Sequence, residues 1–431
     1  MSRHLPVWCA VVLAGCVSST PPVPPPGPGY PTTPAGPGPY APAPQPSQPA
    51  PGAQVPSGDM AFDAWRSDFL GRAPAQWRAA LERELRGVTP DAGVITSDLG
   101  QPEFSRPISQ YVAGAASAQR VANGRSARAS VPQLPAIEQR YGVPAEVLVA
   151  IWGMESAYGQ IKGDKDVIRS LATLAAQGRR RAWAEEQLIA SVRMIEEGYA
   201  TRAQMRGSWA GAMGHTQFIP GTYLTHAQDG DGDGDRDIWN SPADALASAA
   251  QLLRASGWRP GVSWHQEVIL PAAFDYSLSE TRAMTPTAWS ELGVRPATGA
   301  WTSADAAAEA RLLLPSGARG PAFLAYPNHF TIRAYNNSIA YALGIGMLAD
   351  ALRGAPALRT AWPEETPLSL ADRRAAQAAL TQLGYNPGPI DGVIGGGTRT
   401  ALRAWQQARN RPADGYLDAA TIAALRREAG L

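Results

Sequence analysis

Apolar side chains recur at helical spacing through most of residues 61–354, which predicts a large α-rich domain. They return every three or four positions, so each segment would present one apolar face to a core. The clearest such segments are 61–86, 137–141, 185–199 and 243–257. Segment 146–159 differs because it is apolar on most sides, which indicates a buried helix, and it closes on Gly159, where a helix would stop.

Strand-like patterns are short and few within this domain. They occupy 268–270, 311–314 and 330–332, which predicts a small β insertion in a helical domain. Residues 360–367 contain Pro363 and Pro367 and are predicted to form a linker. A compact module is expected at 368–431. We expect it to fold on its own and to raise the local concentration of the protein at its target without taking part in the reaction.

The module combines helical patterns with two tight turns. Segment 383–395 runs Leu-Gly-Tyr to Asp-Gly-x-x-Gly, and 398–406 continues Thr-x-x-Ala-x-x-x-Trp-Gln. A second turn, 413–418, precedes a last helix predicted to open at Thr421. This pattern resembles the three-helix peptidoglycan-binding domain of cell-wall hydrolases, and a generic helical bundle is the alternative. Trp405 stands where that domain usually has Phe, a change that keeps an aromatic side chain in the core.

The first 58 residues predict export and tethering. Residues 1–16 form a signal peptide with a short apolar run, and Leu-Ala-Gly-Cys16 resembles the bacterial lipobox, in which the cysteine becomes lipidated. An ordinary cleaved signal is the alternative. Val17 after the cysteine favours sorting to the outer membrane by the same resemblance. Residues 17–58 carry no charge, and 16 of the 36 residues from 21 to 56 are Pro, so a disordered linker of semi-rigid, extended chain is expected.

Chain length, net charge and cysteine positions exclude some classes of protein. The 431 residues are enough for two or three domains, and the net charge of +1 gives no electrostatic footprint for nucleic acid. The two cysteines, Cys9 and Cys16, both precede the folded part, which therefore has neither a disulfide nor a cysteine-ligated metal site. No segment after residue 16 is predicted to cross a membrane.

Glu155 is the most informative position, because it is a carboxylate inside the apolar segment 146–159. Leu148, Ile151 and Trp152 precede it by seven, four and three residues and share its helical face. Loss of hydration there would raise its pKa, and a carboxyl that holds its proton near neutral pH suits a general acid. The alternative is a buried Glu paired with an Arg, or a Glu on the helix rim.

Two further segments join Glu155 in a fixed order along the chain. Small residues crowd 207–214, so backbone can approach a ligand or a neighbouring helix closely, and Gln217 and Phe218 follow. Segment 335–342 reads Tyr-Asn-Asn-Ser-x-x-Tyr-Ala. With Glu-Ser-Ala-Tyr-Gly at 155–159 and an acidic loop between, these motifs resemble the membrane-bound lytic transglycosylase B family over about 62–353. His215-Thr216 and Trp209 depart from the family pattern without removing a group that the chemistry needs.

The resemblance implies a mainly α fold with a lysozyme-like catalytic core at 59–359, followed by the linker 360–367 and the peptidoglycan-binding module 368–431. It also implies cleavage of the MurNAc-GlcNAc β-1,4 bond with 1,6-anhydro products. The motifs supply one carboxylate instead of the usual glycosidase pair. This fits a mechanism in which the substrate's own N-acetyl group attacks the anomeric carbon and Glu155 acts first as an acid and then as a base. The remaining alternatives are a lysozyme-like hydrolase or a non-catalytic wall-binding lipoprotein.

The resemblance also assigns substrate-binding residues. Ser208 and Gln217 would hold the N-acetyl or sugar groups, and Asn336 would hydrogen-bond near the reacting sugar. Three aromatic residues would shape the glycan groove, with plain core packing as the alternative for each: Phe218, Tyr335 and Tyr341. Arg179 and Arg180 stand where the family places an Arg pair near the peptide stem or lactyl group, and a solvated charge run is the alternative there.

The acidic loop 229–239 begins like an EF-hand, with Asp229, Asp231 and Asp233 at positions 1, 3 and 5. Asn240 replaces the Glu at position 12, and Asp235 and Asp244 are the other candidate ligands, Asp244 by resemblance to the family. The prediction is a structural Ca²⁺ site that the chemistry does not require, and an ion-free acidic turn is the alternative.

The expected setting is the periplasmic side of the outer membrane. The expected partners are peptidoglycan strands, the membrane, and cell-wall synthesis or divisome proteins.

Overall fold

The computed structural model describes residues 55–99 and 106–431. Cys9, the predicted lipidation site Cys16 and nearly all of the predicted linker 17–58 lie outside the described residues. Within the described residues, no helix is both long enough and apolar enough to span a bilayer.

Helices dominate the first part of the described chain. They enclose one large apolar core that includes Phe69, Leu148, Leu171 and Leu246. The elements are α1 (Met60–Arg72), α2 (Ala75–Glu84), α3 (Ala92–Leu99), α4 (Ile108–Ala115), α5 (Ala118–Ala129), α6 (Leu134–Tyr141), α7 (Ala145–Ser156), β1 (Lys165–Asp166), α8 (Val167–Gln177), α9 (Arg181–Glu196), β2 (Arg206–Gly207), α10 (Pro220–His226) and α11 (Pro242–Ala255).

A small sheet follows, and the chain then returns to the helical core. The five strands are all antiparallel in the order β4-β6-β7-β3-β5 and have their own core around Trp289 and Leu324. The elements are β3 (His265–Ile269), β4 (Ala283–Met284), α12 (Pro286–Glu291), β5 (Arg295–Pro296), α13 (Ser303–Ala306), β6 (Ala310–Leu313), β7 (Ala322–Ala325), α14 (Pro327–Ile332) and α15 (Ile339–Leu352).

The C-terminal module is a bundle of three helices, as its sequence predicts: α16 (Leu370–Gln382), α17 (Gly396–Gln407) and α18 (Ala419–Ala429). Trp405 is fully buried in its core with Leu402 and Leu425. The core position expected for this aromatic side chain is therefore confirmed. Asp418 caps α18 by accepting a hydrogen bond from Thr421 N, so the last helix begins two residues before Thr421.

Two element predictions need correction, and the helical pattern of 61–86 spans two helices. Segment 330–332 is helical, as the end of α14, because Pro327 begins a helix after its N-cap Tyr326. Burial of Thr331 and Ile332 outweighs the strand preference of this run. Segment 61–86 forms two helices, since Pro74 ends the pattern of α1 and begins α2. Helix α7 ends at Ser156, not at Gly159, because Ala157 adopts the left-handed conformation with φ 49°.

The module packs against the sheet region through charged side chains. Glu280 precedes β4, and its carboxylate accepts from Arg399 Nε at 3.0 Å and lies 3.0 Å from Arg403 Nη2. Asp414 Oδ2 accepts from Ala318 N at 2.9 Å. These contacts join residues about a hundred positions apart, so the module is docked where the sequence alone predicted only a linked unit.

Candidate active site

Glu155 lies near the end of α7, in the interior of the helical domain. Its side chain is 4% exposed, and Leu148, Ile151 and Trp152 are buried as predicted. Helix α15 packs beside α7 and brings the Tyr341 hydroxyl to Glu155, where it donates a hydrogen bond to Oε1 at 2.5 Å. The carboxylate is therefore buried and oriented by a phenol.

Tyr341 acts as a permanent donor to this carboxylate. Burial, with the negative charge of Glu155 as the second cause, holds the pKa of Tyr341 well above its usual value. The phenol therefore keeps its proton at every physiological pH. Tyr341 is only 4% exposed, so its observed contact is with Glu155, whereas a part in shaping the glycan groove stays a prediction.

The residues after Glu155 reverse the chain tightly. Ala157, Tyr158 and Gly159 all have positive φ, at 49°, 61° and 84°. The Tyr158 ring folds back over Gly153, where an added Cβ would lie 2.6 Å from its hydroxyl. That hydroxyl donates to Arg120 O at 2.8 Å. The turn fixes the end of the helix that carries Glu155, and the Tyr158 ring leaves no room for a larger side chain at Gly153.

His215 is a site residue whose role sequence reasoning missed. Trp152 Nε1 donates to His215 Nδ1 at 3.0 Å, and Ser156 Oγ donates to His215 O at 2.6 Å, so both sides of Glu155 along α7 are tied to one histidine. Burial lowers the pKa of His215 to about 4, which keeps the imidazole neutral and able to accept. The available signal was its unusual place in the motif at 211–218.

The segment 207–218 folds into a tight loop. Ser208 Oγ accepts from Ala210 N at 3.3 Å and Ala212 N at 3.1 Å. Gln217 has φ 51°, and its Nε2 donates to Lys162 O at 3.1 Å and Gly214 O at 2.8 Å. Both amide protons of Gln217 are thus used within the protein, and its part in binding a sugar stays a prediction.

The predicted aromatic and amide residues divide into two sets. Phe218 and Tyr335 are 1% and 4% exposed, and their ring centroids lie 6.1 Å apart. They pack in the main core, and a part in shaping the glycan groove stays a prediction for both. Asn336 is half-buried and lines a cavity next to the module. Ser338, two residues on, caps α15 through Tyr341 N, which links this loop to the Tyr341–Glu155 contact.

Arg179 and Arg180 meet at Asp98, the buried carboxylate near the end of α3. Arg179 Nε lies 3.4 Å from Asp98 Oδ2, and Arg180 Nη2 lies 3.9 Å from Oδ1. The Arg180 guanidinium also lies over the rings of Trp183 and Trp209, at 4.4 Å and 6.0 Å. The pair is therefore a structured feature and not a fully solvated charge run.

The acidic loop folds around Asp244, which is fully buried at the start of α11. Asp244 Oδ1 accepts from Gly230 N at 2.8 Å, and Oδ2 accepts from Asp237 N at 2.7 Å. Burial is the main cause that raises the pKa of Asp244. The charge of Asp231 raises it further, and the backbone hydrogen bonds partly oppose this rise. Two sets of carboxylates have oxygens within 4.8 Å of one another: Asp229, Asp231 and Asp244, and Asp233, Asp235 and Asp244. This all-oxygen donor set fits a Ca²⁺ ion.

Comparison with known proteins agrees with this geometry. The family model for the transglycosylase SLT domain matches residues 61–350, and that for the putative peptidoglycan-binding domain matches 369–425. Membrane-bound lytic murein transglycosylase B of Escherichia coli K12 is 33% identical over 223 residues, which is 50% of this chain and 58% of that protein. The chain thus spans less than two thirds of that relative's length.

Solved structures cover a larger share of this chain. SltB3 from Pseudomonas aeruginosa, in complex with NAG-anhNAM-pentapeptide, is 47% identical with a TM-score of 0.79, and the match covers 85% of this chain and 100% of that one. Slt35 from E. coli, in complex with calcium, is 25% identical with a TM-score of 0.58, and the match covers 68% and 93%.

Proposed function

Because the chain belongs to the transglycosylase SLT domain family, we propose that it is a lytic transglycosylase that cleaves the MurNAc-GlcNAc β-1,4 bond of peptidoglycan and leaves 1,6-anhydro-MurNAc ends. The observation that carries the proposal is a buried Glu155 held by Tyr341. Two relatives support it: transglycosylase B by its named activity, and SltB3 by the anhydro-sugar that it binds.

Glu155 performs both proton transfers in the proposed mechanism. It first donates its proton to the leaving GlcNAc oxygen while the carbonyl oxygen of the MurNAc N-acetyl group bonds to C1. It then accepts the proton of the MurNAc C6 hydroxyl, whose oxygen displaces the N-acetyl oxygen at C1 and closes the anhydro ring. One carboxyl therefore serves as acid and then base, and the Tyr341 hydrogen bond holds it in one orientation for both steps.

The other predicted site residues would bind the glycan. Ser208 uses its oxygen as an acceptor from two backbone amides, so its hydroxyl proton would be the group offered to an N-acetyl carbonyl. Gln217 would offer Oε1, and Asn336 its side-chain amide. Arg179 and Arg180, which lie beside Asp98, would bind the peptide stem or the lactyl group.

A Ca²⁺ ion in the acidic loop is part of the proposal, as a structural ion. Asp229, Asp231, Asp233, Asp235 and Asp244 would hold it, and Slt35 binds calcium in its solved complex. Its effect would be to offset the repulsion among these carboxylates, and it has no part in the proton transfers.

The proposed setting is the periplasmic face of the outer membrane. The membrane-bound relative supports membrane association, and a lipidated Cys16 with the 17–58 linker would supply it. Peptidoglycan strands are the proposed substrate, the module 368–431 would bind them, and cell-wall synthesis or divisome proteins are the proposed protein partners.

Product analysis tests the proposed function directly. Purified protein is incubated with sacculi, and the released muropeptides are identified by mass spectrometry before and after borohydride reduction. We expect 1,6-anhydro-muramyl products, which borohydride does not reduce. Reducing-end MurNAc products would indicate a lysozyme-like hydrolase instead, and binding without release would indicate a wall-binding lipoprotein.

A further inference from the structure

A cavity of about 570 Å³ lies where the helical domain, the sheet region and the module meet. Asn336 and Ser338 line it from the loop before α15, Leu313 lines it from β6, and Tyr416 lines it from the module. Glu155 does not line it. The loop that carries Asn336 leads directly into α15 and Tyr341, so the cavity borders the segment that orients Glu155.

Arg333 contributes an incompletely satisfied guanidinium to this cavity. Its Nη2 donates to Asn337 Oδ1 at 2.6 Å, and its guanidinium carbon lies 5.8 Å from the centre of the Phe330 ring. Its Nε is buried and has no hydrogen-bond partner among the described residues. Burial, with the positive charge of Arg399 as the second cause, lowers the pKa of Arg333. Buried donors are normally bonded, so an unmet N–H on a side chain that lines the cavity calls for an explanation.

Two of the acidic groups that line the cavity, Glu280 and Asp418, are engaged with other arginines. Glu280 is the carboxylate that acts electrostatically on Arg333, but it already binds Arg399 and Arg403 at 3.0 Å. Asp418 pairs with Arg319 at 2.8 Å. Three guanidinium groups therefore share the charge of Glu280, and within the described part of the chain Arg333 forms no ion pair at 4.0 Å or less.

We propose that Arg333 binds a carboxylate of the peptidoglycan substrate, and that this contact makes the enzyme prefer strands that carry the carboxylate at this site. A planar guanidinium with an unmet N–H matches a carboxylate, and the apolar lining around it strengthens the pair. The carboxylate would come either from the free lactyl group of peptide-free muramic acid or from a peptide stem. The inference rests on the proposed function, because it assigns a specificity residue to that reaction.

The test compares the parent protein with Arg333→Gln on three soluble glycan strands: peptide-bearing, peptide-free, and strands whose carboxylates have been converted to amides. We expect Arg333→Gln to raise KM about tenfold, with kcat within about twofold, because one charge-assisted contact made in both the ground and transition states is lost. An effect on peptide-free strands assigns the lactyl carboxylate, and an effect on peptide-bearing strands alone assigns the stem. On amidated strands the two proteins should have equal KM.

Controls separate the possible failures. Arg86→Gln removes an exposed arginine that does not line the cavity and should leave KM unchanged. Arg333→Lys keeps the charge but loses the planar guanidinium, so it should recover only part of the affinity. An unchanged KM for Arg333→Gln on both carboxylate-bearing strands, or an equal rise on amidated strands, overturns the inference. If Arg333→Gln does not fold, equal KM of the parent on native and amidated strands overturns it too. Absence of anhydro products from the parent would instead refute the proposed function.

Discussion

At the scale of single residues, Glu155 and Tyr341 form the pair on which the proposed chemistry depends. The phenol is buried and keeps its proton, so it donates to Glu155 whichever state the carboxyl is in. That hydrogen bond is stronger to the carboxylate than to the neutral acid, because charge-assisted hydrogen bonds are the stronger class. Tyr341 is therefore a positioning residue in the proposed mechanism, since it holds the carboxyl of Glu155 in one orientation.

Tyr341→Phe should lower kcat with little change in KM, since it removes the hydrogen bond but leaves the ring. Hydrogen bonds to charged groups contribute about 1.5–3 kcal/mol, which corresponds to roughly 10–100-fold in rate. Steady-state kinetics on soluble glycan strands measure both constants, with the exposed Tyr199→Phe as the matched control. A raised KM with unchanged kcat would show that Tyr341 contacts the sugar instead.

His215 should make stability fall in mild acid. Its folded pKa of about 4 lies below the unfolded value near 6.5, so between these values the unfolded chain binds more protons. Stability therefore falls as pH drops below about 6.5, by about 2 kcal/mol at pH 5 from this residue. His329, fully buried with its pKa also well below the usual value, adds to the same trend.

Urea unfolding of the parent and His215→Asn at several pH values measures this contribution. Asparagine can still accept from Trp152 Nε1 but does not titrate, so its stability should depend less steeply on pH between 6.5 and 4. Parallel curves for the two proteins would contradict the assignment.

At the scale of elements, periodicity predicted most of what proved correct. The helices at 137–141, 185–199 and 243–257 correspond to α6, α9 and α11, and two of the three strand predictions correspond to β3 and β6. The error at 330–332 arose because short apolar runs do not distinguish a buried helix from a strand. The contact between His215 and Trp152 could not be predicted, since it joins residues 63 positions apart and follows no motif rule.

The acidic loop should respond to calcium as a unit. A ligand that binds only the folded state at 100 times its Kd stabilises by about 2.7 kcal/mol. Calcium should therefore raise the Tm of the parent, whereas Asp233→Asn, an exposed ligand position that should not disturb the fold, should weaken that response. Anhydro-product release should be equal with calcium and with chelator. Identical melting curves under both conditions would refute the site.

At the scale of the whole molecule, the module is part of one assembly with the catalytic domain. The predicted linker is held in place, because Glu365 accepts a hydrogen bond from Ser109 Oγ at 2.5 Å and another from the Tyr416 hydroxyl. Sequence motifs identified both units, but not the ion pairs of Glu280 with Arg399 and Arg403, which depend on three-dimensional placement.

Glu280→Gln should loosen this docking, because it leaves two arginines without their carboxylate. The surrounding charges hold the pKa of Glu280 below its usual value against the opposing effect of burial, so the pair is ionised at neutral pH. Breaking such a pair costs up to about 3 kcal/mol. Limited proteolysis in 360–367 should become faster, while Glu309→Gln, an exposed change in the same region, should not alter it. Equal cleavage rates would show that apolar contacts suffice for docking.

The central claim is that Glu155 carries both proton transfers, and Glu155→Gln tests it most directly. The amide keeps the size of the side chain but has no transferable proton, so strand binding should survive while release of 1,6-anhydro-muropeptides falls by about 10⁴-fold or more, at or beyond the upper part of the range for general acid–base catalysis. The exposed Glu291→Gln should retain the parent rate. Release by Glu155→Gln within about tenfold of the parent, measured by mass spectrometry on a folded protein, would contradict the account.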